Sequence, residues 1–184
     1  DPELRMRPTE LDARWVEDSS LLLLDSEDLD LARWMIARAR AAGVPVLLDA
    51  ERWETGVREI LREVDFPVVS GPLVRELSAA GDLGEGLREI IGDHTVMAIA
   101  TLGARGALAR HGDRVLEVGP PRVEVLDTTG AGDVFRGCLA WGLHRGLGAQ
   151  EVLAVAVQGA AISCSGRGAQ GRLPCRQDLL RGVS

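Results

Sequence analysis

The sequence predicts an α/β domain in which a mostly parallel β-sheet is flanked by helices. Short apolar runs alternate with stretches whose apolar residues recur at helical spacing. The 184-residue chain is 46% hydrophobic, which is enough to bury the core of one such domain. A glycine-rich turn at residues 130–132 joins an apolar run to an amphipathic stretch. These three observations favour layered strands and helices over an all-helical or all-β fold.

The first part of the chain has a strand-helix-strand pattern. Residues 21–24 read LLLL and are followed by Asp25, which is typical of a buried parallel strand. Apolar residues between positions 29 and 39 then indicate a helix that ends at Gly43, with Ser26 or Asp28 as its N-cap. Residues 44–48 form the next apolar run. This spacing predicts a right-handed crossover between two parallel strands.

The same alternation continues through the rest of the chain. Helices are expected near residues 55–62, 74–79, 83–91, 131–145, 149–163 and 176–180, and strands at 66–69, 95–101 and 123–126. Residues 107–110 and 114–118 flank the turn His111-Gly112-Asp113, which predicts a β-hairpin. Because no repeat or linker interrupts these elements, we expect residues 1–184 to form a single domain.

Composition excludes several classes of function. The net charge of −7 argues against a nucleic-acid partner, since no basic stripe is available to neutralise phosphates. No apolar run approaches 18 residues, so we expect no membrane partner. The three cysteines are odd in number and lack C-x-x-C spacing, which supports neither a disulfide framework nor a zinc site. We therefore expect a cytoplasmic protein with reduced thiols.

The segment DTTGAGD, residues 127–133, carries the strongest chemical signal. A glycine-rich turn that opens a helix leaves backbone N–H groups unpaired at the positive end of the helix dipole, which favours anion binding. Asp133 would repel a bound anion unless it had a task there, such as taking a proton from an attacking hydroxyl. The alternative is a tight strand-to-helix turn in which Asp133 merely favours the helix N-terminus.

The string DTTGAGD followed by VFRGCLAWGL resembles the C-terminal signature of the PfkB (ribokinase-like) family of carbohydrate and nucleoside kinases. The resemblance implies a three-layer ribokinase-like fold. It also implies ATP-dependent phosphoryl transfer to a hydroxyl of a small-molecule sugar or sugar-like substrate. In that reaction Asp133 would be the base, and the N–H groups of Gly130, Ala131 and Gly132 would form the anion hole.

Family members are longer than this chain, so we expect it to lack the N-terminal strands and the lid of the family fold. It is then a fragment whose exposed sheet edge invites association into a homo-oligomer. Two alternatives to a sugar kinase stay open. One is a catalytically inactive nucleotide-binding fragment, and the other is a nucleoside kinase.

Residues 101–106, TLGARG, follow an apolar strand and are either a simple turn or part of a ligand site. They resemble the nucleotide-binding segment of the PfkB family, which implies ATP contacts for Thr101, Gly103 and Gly106. The family's N-x-x-E motif for Mg²⁺ is replaced here, because Ser70 stands for the Asn and Leu73 for the Glu. That departure puts the usual Mg²⁺ arrangement in doubt.

Residues 163–170, SCSGRGAQ, precede Pro174 and are either a flexible loop after a helix or part of an ion site. They resemble the family segment whose carbonyls help to hold a monovalent cation such as K⁺. Hard carboxylate and carbonyl oxygens suit such an ion. The resemblance assigns the ligands to Asp127 and Thr129 together with the carbonyls of Ser163, Gly166, Gly168 and Arg172.

Overall fold

The structure is a computed structural model that describes residues 6–180 of the chain. The chain divides into two compact units. One consists of Asp1–Thr101 and Ala109–Val115, and the other of Leu102–Leu108 and Leu116–Ser184.

The first unit alternates strands and helices as the sequence predicts. Its elements are α1 (Arg14–Glu17), β1 (Leu22–Asp25), α2 (Leu29–Ala42), β2 (Val46–Ala50), α3 (Val57–Leu61), β3 (Phe66–Ser70), α4 (Gly71–Leu77), α5 (Leu83–Arg88) and β4 (Ala98–Thr101). Each of β1, β2 and β3 pairs in parallel with the next strand in the chain. Asp25 pairs with Asp49, and Ser70 pairs with Thr101, so the carboxyl ends of neighbouring strands lie side by side.

The caps of α2 show why this helix forms where it does. The Asp28 side chain accepts a hydrogen bond from the Leu31 N–H at 3.0 Å, so Asp28, and not Ser26, is the N-cap. The helix ends at Gly43, as the sequence predicts. Between these ends it buries one stripe of side chains, namely Ala32, Ile36 and Ala39.

Two further strands extend the sheet. Strands β5 (Ala107–His111) and β6 (Arg114–Val118) form the expected hairpin, and the strand order is β1-β2-β3-β4-β5-β6. All five residues of β2 are buried, as expected for an internal parallel strand. By contrast, β1 lies at an edge of the sheet, and its Leu23 side chain is 44% exposed.

The second unit contains a pair of long helices, α6 (Ala131–His144) and α7 (Ala149–Ser163), followed by the short helix α8 (Arg176–Leu180). Helices α6 and α7 approach each other closely at Gly159, where an added Cβ atom would lie 2.3 Å from the Cys138 Sγ. Val155 and Leu179 are buried around Cys138. Among residues 6–180, no helix combines the length and the apolar character needed to cross a membrane.

The predicted strand at residues 123–126 is wrong, because the structure shows no strand there. Val125 and Leu126 are 60% and 53% exposed. The N–H groups of Leu126 and Asp127 both donate to the Cys164 carbonyl, at 2.8 Å and 3.2 Å, at the end of α7. An apolar run becomes a strand only when a neighbouring strand takes its backbone groups, and no described strand pairs with these residues.

Packing at Gly159 gives a stability prediction. Gly159→Ala should lower the free energy of unfolding by about 1–3 kcal/mol, because the new methyl group would force α6 and α7 apart. Gly137→Ala is the matched control on α6, since an added Cβ there meets no atom within 4 Å. Alanine at that exposed helical position should raise stability by roughly 0.5–1 kcal/mol. Urea unfolding measures the change in the free energy of unfolding for both variants. Equal changes would contradict the close approach of α6 and α7 at Gly159.

Candidate active site

The DTTGAGD loop ends at Gly130, which is the N-cap of α6. Gly130 has a φ of +77°, a conformation that side-chain-bearing residues rarely adopt. A Cβ atom added at Gly130 would also lie 2.8 Å from the Ala169 Cβ. Glycine is therefore required both by the turn and by the loop that packs against it.

Two backbone N–H groups of this turn remain available for an anion. The Ala131 N–H donates to the Thr128 carbonyl at 3.1 Å and so is engaged within the loop. The N–H groups of Gly130 and Gly132 have no acceptor among the described residues. Such groups at the start of a helix are where anions bind. The predicted anion hole of residues 130–132 thus has two open donors and one that is committed to the turn.

Asp133 lies in the first turn of α6, and its side chain is 75% exposed. Its Oδ1 accepts a hydrogen bond from the Arg136 guanidinium. Sequence reasoning singled out the carboxylate but missed its partner. The signal was present, because residues three apart face each other on a helix and the sequence reads D-x-x-R from Asp133.

The Asp127 carboxylate joins two loops that are distant in sequence. Its Oδ1 accepts hydrogen bonds from the Thr129 N–H at 2.9 Å and from the Thr129 hydroxyl at 2.7 Å. Its Oδ2 accepts a hydrogen bond from the Gly168 N–H at 2.8 Å. The backbone bonds from Thr129 and Gly168, followed by the Thr129 hydroxyl bond, lower the pKa of Asp127 to about 2. This carboxylate is therefore ionised at neutral pH.

The loop after α7 is folded tightly on itself. A Cβ atom added at Gly166 would lie 2.5 Å from the Arg172 backbone nitrogen. The Arg172 guanidinium also donates to the Ser165 hydroxyl at 3.0 Å. The Ser163 and Gly168 carbonyls accept N–H groups of this loop, from Gly166 and Gly171, each at 3.1 Å.

These contacts bring together the residues predicted to bind K⁺. Asp127, Thr129 and Gly168 are connected directly by hydrogen bonds, and Ser163, Gly166 and Arg172 belong to the same tightly folded loop as Gly168. The donor set consists of carboxylate, hydroxyl and carbonyl oxygens, which fits a hard cation. A carbonyl oxygen has two lone pairs, so the carbonyls already in hydrogen bonds retain capacity for an ion.

The predicted ATP-contacting residues lie at the end of β4 and in the turn that follows it. Thr101 is the last residue of β4, and Gly103 begins a single 3₁₀ turn, Gly103–Arg105. The Leu102 N–H donates to the Gly106 carbonyl at 2.8 Å. A Cβ atom added at Gly106 would lie 1.9 Å from the Val118 carbonyl oxygen. The need for glycine at position 106 thus comes from packing against β6.

The described residues offer no dedicated protein cage for Mg²⁺. Ser70 is the N-cap residue of α4 and makes no side-chain capping bond. The Leu73 carbonyl accepts a hydrogen bond from the Trp53 indole at 3.2 Å, and its side chain carries no ligand atom. Within residues 6–180, no three His, Cys, Asp or Glu side chains are grouped as a metal site. The residues that replace N-x-x-E therefore do not fit the usual carboxylate arrangement.

The Asp127 interactions give a prediction about pH. The pKa of Asp127 falls from an ordinary 3.8 to about 2 on folding, so its contribution to stability is present above pH 3.8. That contribution is lost as the pH falls through about 2. Asp127→Asn should therefore destabilise the protein at pH 7, and the difference from wild type should shrink below about pH 4.

Urea unfolding at pH 7, 5 and 3 measures this difference. Asp113→Asn, in the exposed turn between β5 and β6, controls for the loss of one negative charge. A difference between wild type and Asp127→Asn that stayed constant down to pH 3 would show that the carboxylate does not join the loops in its ionised form.

Comparison with known proteins places the chain in a family. Residues 8–176 match the pfkB family carbohydrate kinase. The chain is 29% identical to the ribokinase of Arabidopsis thaliana over an alignment 182 residues long, which includes 92% of this chain and 47% of that protein. The chain thus spans about half the length of this relative.

Solved structures show the same fold. The Arabidopsis ribokinase complexed with ribose and ATP superposes with a TM-score of 0.81, at 22% identity over 97% of this chain and 60% of that one. A protein described as ribokinase II from Escherichia coli, in complex with ATP and Mg²⁺, gives 0.82 at 17% identity, covering 95% and 62%. Phosphofructokinase-2 from E. coli, in complex with potassium, gives 0.76 at 19% identity, covering 92% and 59%. These likenesses confirm the predicted ribokinase-like α/β fold, and the family match shows that the chain belongs to the pfkB family of carbohydrate kinases.

Proposed function

We propose that the protein carrying this chain transfers the γ-phosphoryl group of ATP to a hydroxyl of a sugar or sugar-like substrate. One observation carries the proposal. An exposed carboxylate, Asp133, lies in the first helical turn beside the unpaired N–H groups of Gly130 and Gly132. A proton acceptor next to an anion site is the arrangement that phosphoryl transfer to a hydroxyl needs.

In this reaction Asp133 accepts the proton of the acceptor hydroxyl. The hydroxyl oxygen forms a bond to the γ-phosphorus while the bond from that phosphorus to the bridging oxygen breaks, and ADP leaves. The N–H groups of Gly130 and Gly132 donate to the oxygens of the phosphoryl group, where negative charge accumulates in the transition state. The Ala131 N–H can donate to the phosphoryl group only if its hydrogen bond to the Thr128 carbonyl breaks.

The nucleotide is assigned to Thr101, Gly103 and Gly106, on the support of the family match and of their position at the carboxyl end of a strand. Magnesium enters this proposal as MgATP, since the described residues supply no cage of their own for it.

A potassium site is proposed at Asp127 and Thr129, with the carbonyls of Ser163, Gly166, Gly168 and Arg172. When bound, the cation would supply positive charge that holds the two loops together beside the anion hole. The hydrogen bond from the Gly168 N–H to the Asp127 carboxylate supports this proposal, because it brings residues of both loops into direct contact.

A second candidate is a nucleotide-binding module without catalytic activity. It is favoured by Ser70 and Leu73, which stand where the family carries the N-x-x-E residues for Mg²⁺ and supply no carboxylate. A nucleoside acceptor in place of a sugar is a variant of the first proposal. Assays of ATP binding and of turnover with both acceptor classes separate these candidates.

The base assignment predicts the effect of Asp133→Asn. Turnover should fall by about 10²–10⁴-fold, because the isosteric amide cannot take the hydroxyl proton. The dissociation constant for ATP should change little. Both quantities are measured on the natural polypeptide that contains this sequence, with a panel of sugars and nucleosides and with Asp113→Asn as control. Retained turnover in Asp133→Asn would rule out Asp133 as the base.

The potassium site predicts a response to the monovalent cation. Replacing K⁺ with tetramethylammonium at constant ionic strength should lower turnover. The organic cation is too large to be coordinated by the oxygen atoms of these two loops. The Asp127→Asn variant should show a much weaker response to the same exchange. A wild-type rate indifferent to the exchange would eliminate the proposed site.

A further inference from the structure

The ion pair between Asp133 and Arg136 differs from an ordinary surface pair. The Asp133 side chain is 75% exposed, whereas the Arg136 side chain is only 16% exposed. In most exposed pairs both side chains are mobile, and the entropy of ordering them offsets the attraction. Here burial restrains the guanidinium, so it can hold the carboxylate at a lower entropic cost. The Arg136 Nη2 donates to the Asp133 Oδ1.

The same guanidinium lies beside the glycine-rich turn. A Cβ atom built at Gly132 would lie 3.7 Å from the Arg136 Nη2 and 4.0 Å from its Cζ. Arg136 therefore contacts the proposed base and borders the turn that carries the proposed anion hole. A residue in this position can act on the reaction through Asp133 or by touching the phosphoryl group itself.

We propose that Arg136 is a positioning residue that fixes the orientation of the Asp133 carboxylate. By holding Oδ1, it leaves Oδ2 to accept the proton of the acceptor hydroxyl, and the guanidinium keeps its own protons throughout. Placement matters because an error of about 1 Å in a reacting group can lower the rate by roughly 10²-fold. The inference rests on the proposed function, in which Asp133 is the base.

A double-mutant cycle on the natural polypeptide tests this role. Arg136→Gln should lower kcat by about 10²-fold, with the KM and the dissociation constant for ATP nearly unchanged. In the Asp133→Asn background, Arg136→Gln should cause no further loss, because residues that act as a unit are not additive. Arg136→Lys should recover part of the rate, since an ammonium group can still donate one hydrogen bond to Oδ1.

Arg145→Gln is the matched control. Arg145 is the C-cap of the same helix, roughly 14 Å along the helix axis from Arg136. The Arg145→Gln variant should have the kcat of the wild-type protein. Thermal unfolding of each variant shows whether a loss of kcat reflects a loss of the fold. If Arg136→Gln is unfolded, Arg136→Lys, which preserves the charge, tests the positioning role by a kcat between those of wild type and Asp133→Asn.

The outcomes are distinct. Additive losses in the double mutant would overturn the positioning role, and a selective loss of ATP affinity in Arg136→Gln would show direct contact with the phosphates instead. Wild-type kcat in Arg136→Gln would also overturn it. Absence of turnover in the wild-type protein with every sugar and nucleoside would contradict the proposed function itself, and the positioning role would fall with it.

Discussion

The candidate site depends on the convergence of two loops, which is fixed by the Asp127 carboxylate. Helices α6 and α7 have 14 and 15 residues and are joined by a short connection, so they run antiparallel and the start of one lies near the end of the other. That arrangement alone brings the loops close. Asp127 then joins them by accepting hydrogen bonds from Thr129 on its own loop and from Gly168 on the other. The N–H groups of Leu126 and Asp127 donate to the Cys164 carbonyl at the end of α7, so the same two segments are also joined through their backbones.

Glycine is required in this chain for more than one physical reason. Gly130 is needed for a φ of +77° and for contact with Ala169, and Gly106 is needed because the Val118 carbonyl lies against it. Neither requirement involves a ligand. A glycine-rich turn therefore does not by itself identify a phosphate site, since the protein's own packing can demand the same residues. The features that favour an anion here are the unpaired N–H groups of Gly130 and Gly132 beside the exposed carboxylate of Asp133.

Local patterns in the sequence predicted the α/β class, the order of the elements from β1 to β6 and the bounds of α7 and α8, but not the short helix α1. They failed at residues 123–126, where apolar character alone suggested a strand. A strand also requires a partner, and here the N–H groups of Leu126 and Asp127 go to the Cys164 carbonyl. The bond from Gly168 to Asp127 spans 41 positions, so no local pattern contains it. The D-x-x-R pair of α6 was readable, but its importance depends on the burial of Arg136, which only packing determines.

The charges around the motif explain how an acidic chain can present an anion site. The net charge is −7, and the motif itself adds two carboxylates, Asp127 and Asp133. Each has a cationic neighbour, because Arg136 bonds to Asp133 and the charge of Arg167 acts on Asp127. Charges beyond about 8 Å are largely screened at physiological ionic strength, so these nearby pairs outweigh the distant acidic surface. Both carboxylates of the motif thus have a cation near them, and we expect the unpaired N–H groups of Gly130 and Gly132 to add positive character to the turn.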